Sequence, residues 1–372
     1  MELIDFGTRS GFQIPRANIG AMRLPADHDE AVALIRHAID SGMRYIDTSR
    51  GYGESEIKIG KALKDGYREK VILSTKWAPW IKMIEDTDDT SADCIRKRIE
   101  ESMKRLDVEY LDYYQVWNIN NRVNYGKATA SGGMVDGIRK AIDEKLVGHT
   151  GFTTHDTPEN IISYIEETDW CEIILFTYNL LNRRYADAIA AAHARGIGTI
   201  TMNPVGGGKL GEPSAKFLGL ARSVGAAKVP ELAMRFNLSN PDVTTIISGI
   251  SCTRDVDEAV AAAKAPVFTD EQMATITQFL DGVAQEKDTF CTGCKYCMPC
   301  PQDINIAAVM SCVYDHRFLG FREDAKKRYA RIKENKADAC VACGECEEKC
   351  TQKIKIVEEM KYARENLGAP SP

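Results

Sequence analysis

Nine of the twelve cysteines in this 372-residue chain lie between Cys291 and Cys350, while Cys94, Cys171 and Cys252 are scattered through what precedes them. A secreted, disulfide-stapled chain is rarely built this way, and the opening MELIDFGTRS lacks the basic start and apolar stretch of a secretion signal. Clustered thiols in a chain with no such signal point to metal. The expected organisation is a large cysteine-poor domain over residues 1–285 and a small metal-bearing one over 286–372, and the 44% hydrophobic content is ample for both cores.

The larger part alternates short β-rich runs with longer helical patterns from Ala17 to about Pro266. The strand candidates are ANIGAM, RYIDTS, KVILSTKW, YLDYYQVW, HTGFTT, EIILFTYN, GIGTITMN and VTTIISGI. Segments such as TSADCIRKRIEESMKRL and RRYADAIAAAHARG carry apolar residues at helical spacing and stop at Leu or Gly before the next strand. Eight β–α units in about 250 residues predict an α/β chain folded as a (β/α)8 TIM barrel. A doubly wound sheet competes, but six strands are more usual there and no GxGxxG opens the first helix. After Pro266 the strands stop, and a small α-helical domain is expected.

The first thiol motif is Cys291-Thr-Gly-Cys294-Lys-Tyr-Cys297-Met-Pro-Cys300-Pro301; the second is Cys340-Val-Ala-Cys343-Gly-Glu-Cys346-Glu-Glu-Lys-Cys350. The second repeats the C-x2-C-x2-C-x3-C spacing of bacterial ferredoxins. Three thiolates on one tight loop can wrap three irons of a cubane while the fourth cysteine reaches the other cluster. Two [4Fe-4S] clusters are therefore expected, one on Cys291, Cys294, Cys297 and Cys350 and the other on Cys340, Cys343, Cys346 and Cys300. In the first motif Cys297 and Cys300 are separated by two residues instead of three, which leaves Cys297 the least secure ligand. Structural zinc favours paired C-x2-C knuckles, and two consecutive triplets with a Cys-Pro fit it poorly. The helical stretch between the motifs resembles the α-helical ferredoxin module, with Cys312 as a core thiol. Cys94, Cys171 and Cys252 are read as structural.

Tyr45-Ile46-Asp47-Thr48-Ser49-Arg50-Gly51-Tyr52-Gly53, followed by Glu54-Ser55-Glu56 and Ile59-Gly60, resembles the aldo-keto reductase signature, and Lys76 ends ILSTKW where that family carries its lysine. Tyr178-Asn179-Leu180-Leu181 and Pro204-Val205-Gly206-Gly207-Gly208-Lys209-Leu210 are also similar. With the cysteine tail, the chain resembles a ferredoxin-fused branch of that family. The residues agree on their own chemistry. Barrel active sites form at the C-terminal ends of strands, where Asp47, Tyr52 and Lys76 all fall. A tyrosine is a weak acid, with an unperturbed pKa of about 10. A neighbouring ammonium is expected to lower it, with Asp47 holding Lys76 in place, so that Tyr52 can give a proton to a carbonyl oxygen or take one back. The competing reading of Asp47 and Lys76 is a barrel-mouth ion pair.

The sequence departs from the family where substrate and cofactor would be touched. Trp117 stands where the family places a histidine, and an indole can only donate a hydrogen bond. It could instead wall a hydrophobic or aromatic substrate. The resemblance puts nicotinamide contacts at Thr153 and Thr154, a glutamine position at Leu175, the ring-stacking position at Met202 beside Asn203, and the adenine-side motif from Ser248 through Glu258. Asp255 falls where an arginine often meets a 2′-phosphate, with Arg254 beside it. Gly206, Gly207 and Gly208 could let backbone amides approach a pyrophosphate. His155 lies near the expected mouth, and a solvated loop is its simpler setting.

The expected function is that of a cytoplasmic oxidoreductase. It would use NAD(P)H to reduce a carbonyl, or oxidise an alcohol, with the clusters as electron relay. Hydride carries two electrons and each cubane accepts one, a mismatch that a flavin usually bridges; a site without the usual nicotinamide contacts could accommodate one. The alternatives are an electron-transfer subunit with an altered barrel, or a lyase or isomerase reusing Tyr52 and Lys76. The expected partners are a small-molecule substrate and a redox protein. A net charge of −6 without a basic stretch argues against nucleic acid, and no apolar run approaches the ~20 residues of a spanning helix.

Overall fold

The computed structural model describes residues 1–211, 214–287, 291, 297–350 and 354–368. Its chain forms two compact units, one of Met1–Gly207 with Ala233–Val267 and one of Gly208–Leu232 with Phe268–Pro372.

The first unit begins with a hairpin of β1 (Leu3–Asp5) and β2 (Gln13–Pro15). Eight parallel strands follow: β3 (Ala17–Gly20), β4 (Tyr45–Asp47), β5 (Ile72–Trp77), β6 (Leu111–Ile119), β7 (Val147–Thr154), β8 (Ile173–Thr177), β9 (Gly198–Met202) and β10 (Thr245–Gly249). They close into a barrel in chain order, with β10 pairing β3. Six of the eight strands lie within the runs expected from the sequence; β6 continues two residues past its run, to Ile119, and β7 begins two residues before its own, at Val147. Parallel barrel strands are covered on both faces and so read as continuous apolar runs; β5 is buried along its whole length.

The intervening helices are started by side chains that accept from otherwise unpaired amides. Asp27 caps His28–Asp40 by accepting from the amides of Asp29 and Glu30, both at 2.9 Å. Ser91 caps Ala92–Leu106 by accepting from Cys94 at 3.2 Å. Ile95, Ile99, Met103 and Leu106, one face of that helix, are buried.

Inside the barrel, Tyr45, Ile72, Tyr113, Ile173, Leu175, Ile200 and Ile247 pack with Phe6 and Ile14 from the hairpin segment. Phe6 meets Tyr45 and Tyr113 edge-on at 5.4 and 5.6 Å. Burying such a ring stabilises by about 1.5–3 kcal/mol. The strand ends at the opposite pole are left to polar chemistry.

In the second unit, Ile304, Ile306, Val309, Met310, Val313, Tyr329, Ile356 and Met360 form a helical core. The sequence reading draws a boundary near Glu286, but by packing Asp270–Lys287 and residues 208–232 belong to this unit. Phe217 stacks on Phe321 at 5.3 Å and meets Phe279 edge-on at 5.4 Å. Ser214 Oγ donates to Leu319 O at 2.7 Å, and Lys209 pairs with Asp315 at 2.7 Å. No helix of the described residues is long and apolar enough to cross a membrane.

Candidate active site

Register decides which strand-end residues enter the barrel. Asp47 pairs with Ser74, Lys76 with Gln115, Gln115 with Gly151, and Thr153 with Leu175. Side chains alternate along a strand, so these residues share the inward face with the core tyrosines. The Lys76 ammonium bonds the Asp47 carboxylate and donates to Thr48 O at 2.8 Å. Both residues are 2% exposed, and removing one partner of such a buried pair costs about 3–5 kcal/mol. Gln115, which sequence reasoning missed, donates from Nε2 to Ser74 Oγ at 2.6 Å, to Asp47 Oδ1 at 3.1 Å and to Tyr45 OH at 3.3 Å. Asp47 thus has one oxygen on lysine and one on glutamine. Burial raises its pKa despite Lys76 and Gln115. Burial also works against the Lys76 charge, but Asp47 and Tyr52 outweigh it and the ammonium is held above its ordinary range.

Tyr52 sits on the loop after β4, with Lys76 Nζ 5.1 Å from its ring centroid. The loop is pinned from several sides. Ser49 Oγ donates to Lys76 O at 3.0 Å and accepts from Gly51 N at 3.1 Å, and Arg50 pairs with Glu101. Arg105 bonds Gly53 O and reaches Glu56 at 2.9 Å, and Thr75 donates to the fully buried Glu56 at 2.8 Å. Gly53, at φ 59°, occupies the left-handed region that a glycine enters without strain. The expected lowering of the phenol's pKa does not hold. Tyr52 is raised above its ordinary value, because burial outweighs the stabilisation by Lys76 and the Asp47 carboxylate pushes the same way.

Trp117 stands on Tyr52. β6 and β7 pair in step to Val116–Phe152 and again at Ile119–Thr154, so Trp117 and Asn118 together oppose Thr153 in a β-bulge. Both bulge carbonyls accept from the Trp80 indole N–H, Trp117 O at 3.0 Å and Asn118 O at 2.8 Å. Asn118 adopts φ 54°, and its amide donates to Thr153 Oγ1 at 2.7 Å. Its own side-chain oxygen is shielded from solvent and has no partner among the described residues.

The residues expected to touch a cofactor divide accordingly. Thr153 is 2% exposed and inward-facing, and its hydroxyl accepts from Asn118 while its proton has no acceptor among the described residues. Thr154 falls on the outward face; its hydroxyl donates to Ile119 O at 2.7 Å and accepts from Asp156 N at 3.2 Å, both local backbone bonds. Leu175 and Met202 pack with the interior core. Asn203, at φ 57°, offers its carbonyl to Asn179 Nδ2 at 2.9 Å and to Gly206 N at 2.9 Å. Gly206 and Gly207 have φ of 60° and 72°, and Arg23 of the loop after β3 donates to Gly207 O at 2.9 Å.

Glu258 lies within Thr253–Lys264, whose start is capped by Asp255. Asp255 accepts from Ser251 N and Oγ at 2.8 and 2.7 Å, and its pKa is lowered: these bonds outweigh burial, which acts in the raising direction. That is a helix-cap role for the acid. His155 Nδ1 meets Thr177 Oγ1 at 3.1 Å, and burial and Arg184 keep the imidazole below its ordinary pKa.

In the second unit one cavity is lined by Cys297, Cys300, Cys340, Cys343 and Cys346, together with Ile304, Ile356 and Met360. It holds all four thiols expected on one cluster, plus Cys297 from the other set. Cys291, Cys297 and Cys350 pack at the helical core, while Cys294 lies outside the described residues. Among the described residues no group of three or more His, Cys, Asp or Glu side chains is arranged to hold a single metal ion. A cavity lined by thiols and apolar side chains matches the donor chemistry of an iron–sulfur cluster. Cys312 is buried, as is Cys171, whose thiol donates to Ile173 O at 3.2 Å; Cys252, read as structural, is exposed at a helix start.

A closed parallel barrel with a buried carboxylate, ammonium and phenol gathered at its strand ends is the architecture of a barrel oxidoreductase. The aldo/keto reductase family model matches residues 17–281, most of the chain, and the chain belongs to that family. A 4Fe-4S dicluster domain model matches residues 290–355. L-galactose dehydrogenase of Arabidopsis thaliana is 26% identical over 281 residues, covering 68% of this chain and 85% of the relative. An uncharacterized oxidoreductase of Bacillus subtilis is 24% identical over 293 residues, covering 72% and 93%. The structure is similar to an aldo-keto reductase from Bacillus halodurans in its holo form, with a TM-score of 0.65 and 24% identity, covering 75% of this chain and 96% of that one. The protein is an aldo/keto reductase-type oxidoreductase carrying a 4Fe-4S dicluster domain.

Proposed function

We propose that the barrel interconverts a carbonyl and an alcohol of a small, largely apolar substrate with NAD(P)H, and that Tyr52 moves the proton. The observation that carries this reading is that Lys76 is buried against Asp47 while facing Tyr52. A nicotinamide, when bound, supplies or accepts hydride. The inward Thr153 hydroxyl and the unpartnered oxygen of Asn118 fit it, as a donor and an acceptor on the two facing residues of the bulge at the barrel mouth. Met202, Asn203, Gly206 and Glu258 are the further residues proposed to line its site, and Thr154 would act only by holding the backbone there.

Tyr52 rests protonated, as burial favours, and is therefore ready to donate to an oxygen that gains charge. Lys76 stabilises the phenolate as the proton leaves, and Asp47, held by Gln115, keeps the ammonium in position. Trp117 stands beside the phenol, where it would exclude water and present an aromatic wall to substrate.

Two [4Fe-4S] clusters on the eight cysteines named above would each carry one electron, so that the pair could hold the two electrons of a hydride taken from NAD(P)H or an alcohol by a bridging flavin; direct reduction of a carbonyl by NAD(P)H leaves no electrons for them. Conversion of Tyr52 to Phe should lower turnover by about 10²–10⁴-fold and leave NAD(P)H affinity unchanged. Full activity in Y52F would refute the proton role. Anaerobic addition of NAD(P)H without a carbonyl acceptor, in the presence of flavin, should bleach the visible cluster absorption; an unchanged spectrum there, and with an alcohol substrate in place of NAD(P)H, would refute the relay.

A second reading is an electron-transfer subunit with an altered barrel, favoured by Trp117 where a histidine would donate. Tight nicotinamide binding together with Tyr52-dependent turnover would exclude it.

A further inference from the structure

The bulge in β6 gives this chain a polar group that its linear pattern does not announce. Trp117 occupies the inward position that alternation leads to, and the extra residue, Asn118, takes a left-handed conformation next to it. Non-glycine residues at positive φ are uncommon, asparagine being among those that adopt it most readily, and they cluster at active sites and ligand clamps. The conformation is fixed by three bonds: Trp80 to the carbonyls of Trp117 and Asn118, and Asn118 N to Thr153 Oγ1. What the bulge presents is an amide oxygen out of contact with solvent and without a partner among the described residues. A buried, unpaired carbonyl of this kind costs about 1–3 kcal/mol, a cost a ligand would offset. On the facing residue, the Thr153 hydroxyl accepts from Asn118 N, and its proton has no acceptor among the described residues.

We infer that Asn118 and Thr153 together read a primary carboxamide, Asn118 Oδ1 accepting from its NH2 group and the Thr153 hydroxyl donating to its carbonyl. The inference rests on the proposed nicotinamide reading and assigns to Asn118 the contact that Leu175, an apolar core residue, cannot make. It also accounts for a bulge anchored so firmly at a barrel mouth: a one-residue slip would restore regular pairing and turn the amide away.

The test compares two reduced dinucleotides, one with the normal 3-carboxamide and one with a 3-acetyl group. The acetyl group keeps the carbonyl and lacks the amino group. Binding to the anaerobically purified full-length protein is followed by titration. The wild type should prefer the carboxamide by about tenfold, the scale of one hydrogen bond to a buried acceptor. Asn118→Gly tolerates the positive φ and removes the side chain, and should bring the two affinities to within about twofold. Asn118→Asp keeps an acceptor and should retain the preference. A wild type that does not discriminate, a preference that survives in Asn118→Gly, or an equal loss of both ligands in that variant overturns the inference while leaving the nicotinamide reading standing. Failure of the wild type to bind either dinucleotide overturns both.

Discussion

The indole of Trp117 stands edge-on to the phenol of Tyr52, with centroids 5.4 Å apart and planes at 89°, and residue 51 is a glycine where the indole passes. A Cβ added to Gly51 would lie 2.3 Å from Trp117 Cζ3 and 2.6 Å from Cη2. Both are far inside contact distance, and the obstacle is a rigid ring whose strand is pinned by Trp80. Gly51→Ala should therefore destabilise by about 1–3 kcal/mol, the usual range for overpacking, and should lower turnover by moving either the ring or the Tyr52 loop. Pairing it with Trp117→Leu should recover most of the stability in thermal unfolding, since the shorter side chain makes room. A Gly51→Ala protein that melts and turns over like the wild type would mean that the indole does not sit against the loop.

Gln115 is the polar link between Asp47 and the floor of the site. Replacing it by Leu removes the donor to Asp47 Oδ1 and leaves a buried carboxylate with one partner fewer. Hydrogen bonds to charged groups contribute about 1.5–3 kcal/mol, so a loss of stability on that scale is expected. Turnover should fall about tenfold with nicotinamide affinity nearly unchanged, because the defect lies behind Lys76. Equal losses in turnover and in cofactor affinity would place Gln115 at the cofactor instead.

The alkaline behaviour follows from the buried phenols. Tyr45, Tyr52, Tyr113 and Tyr114 all have pKa values raised, burial being the largest cause for each. Between the unfolded value of about 10 and the higher folded values, the folded chain binds more protons than the unfolded one. Their contribution is thus fully present below pH of about 10 and is lost as pH rises beyond it. Unfolding midpoints measured from neutral to strongly alkaline pH should fall steeply above about 10. Tyr52→Phe should flatten that fall by one group's share. Carbonyl reduction should hold its rate to alkaline pH, because the donor keeps its proton there.

The barrel was legible because eight short β-rich runs alternate with helical patterns along the chain, a count and an order that a closed parallel barrel requires. Asp47 and Lys76 could be placed at the mouth because they fall at the C-terminal ends of their runs. What depended on register could not be read. Thr153 and Thr154 look equivalent in sequence, yet one faces into the barrel and the other out. The Trp117–Asn118 bulge shifts the pairing by one residue without any glycine or proline to mark it. The sign of the Tyr52 shift is a balance of burial against charge, which needs coordinates. The packing of Phe217 with Phe321 joins residues about a hundred positions apart, and no local pattern assigns 208–232 to the second unit.

The cysteine assignment makes a prediction about metal content that is independent of the barrel. Cys340, Cys343, Cys346 and Cys300 line one cavity, and Cys346, its thiol pushed up to about 11 by burial and by Glu347, also feels Cys297 and Cys340. Protein purified without oxygen should contain about eight irons and eight sulfides per chain, as two cubanes require. Cys346→Ala should reduce both to about four while the first unit keeps its unfolding transition, because that thiol belongs to the second unit. If Cys297 instead serves the cavity it lines, Cys297→Ala should deplete the same cluster as Cys346→Ala, and the two variants should share one electron paramagnetic resonance signature. Colourless, zinc-loaded wild-type protein would overturn the cluster reading altogether, since thiols holding zinc can carry no electrons.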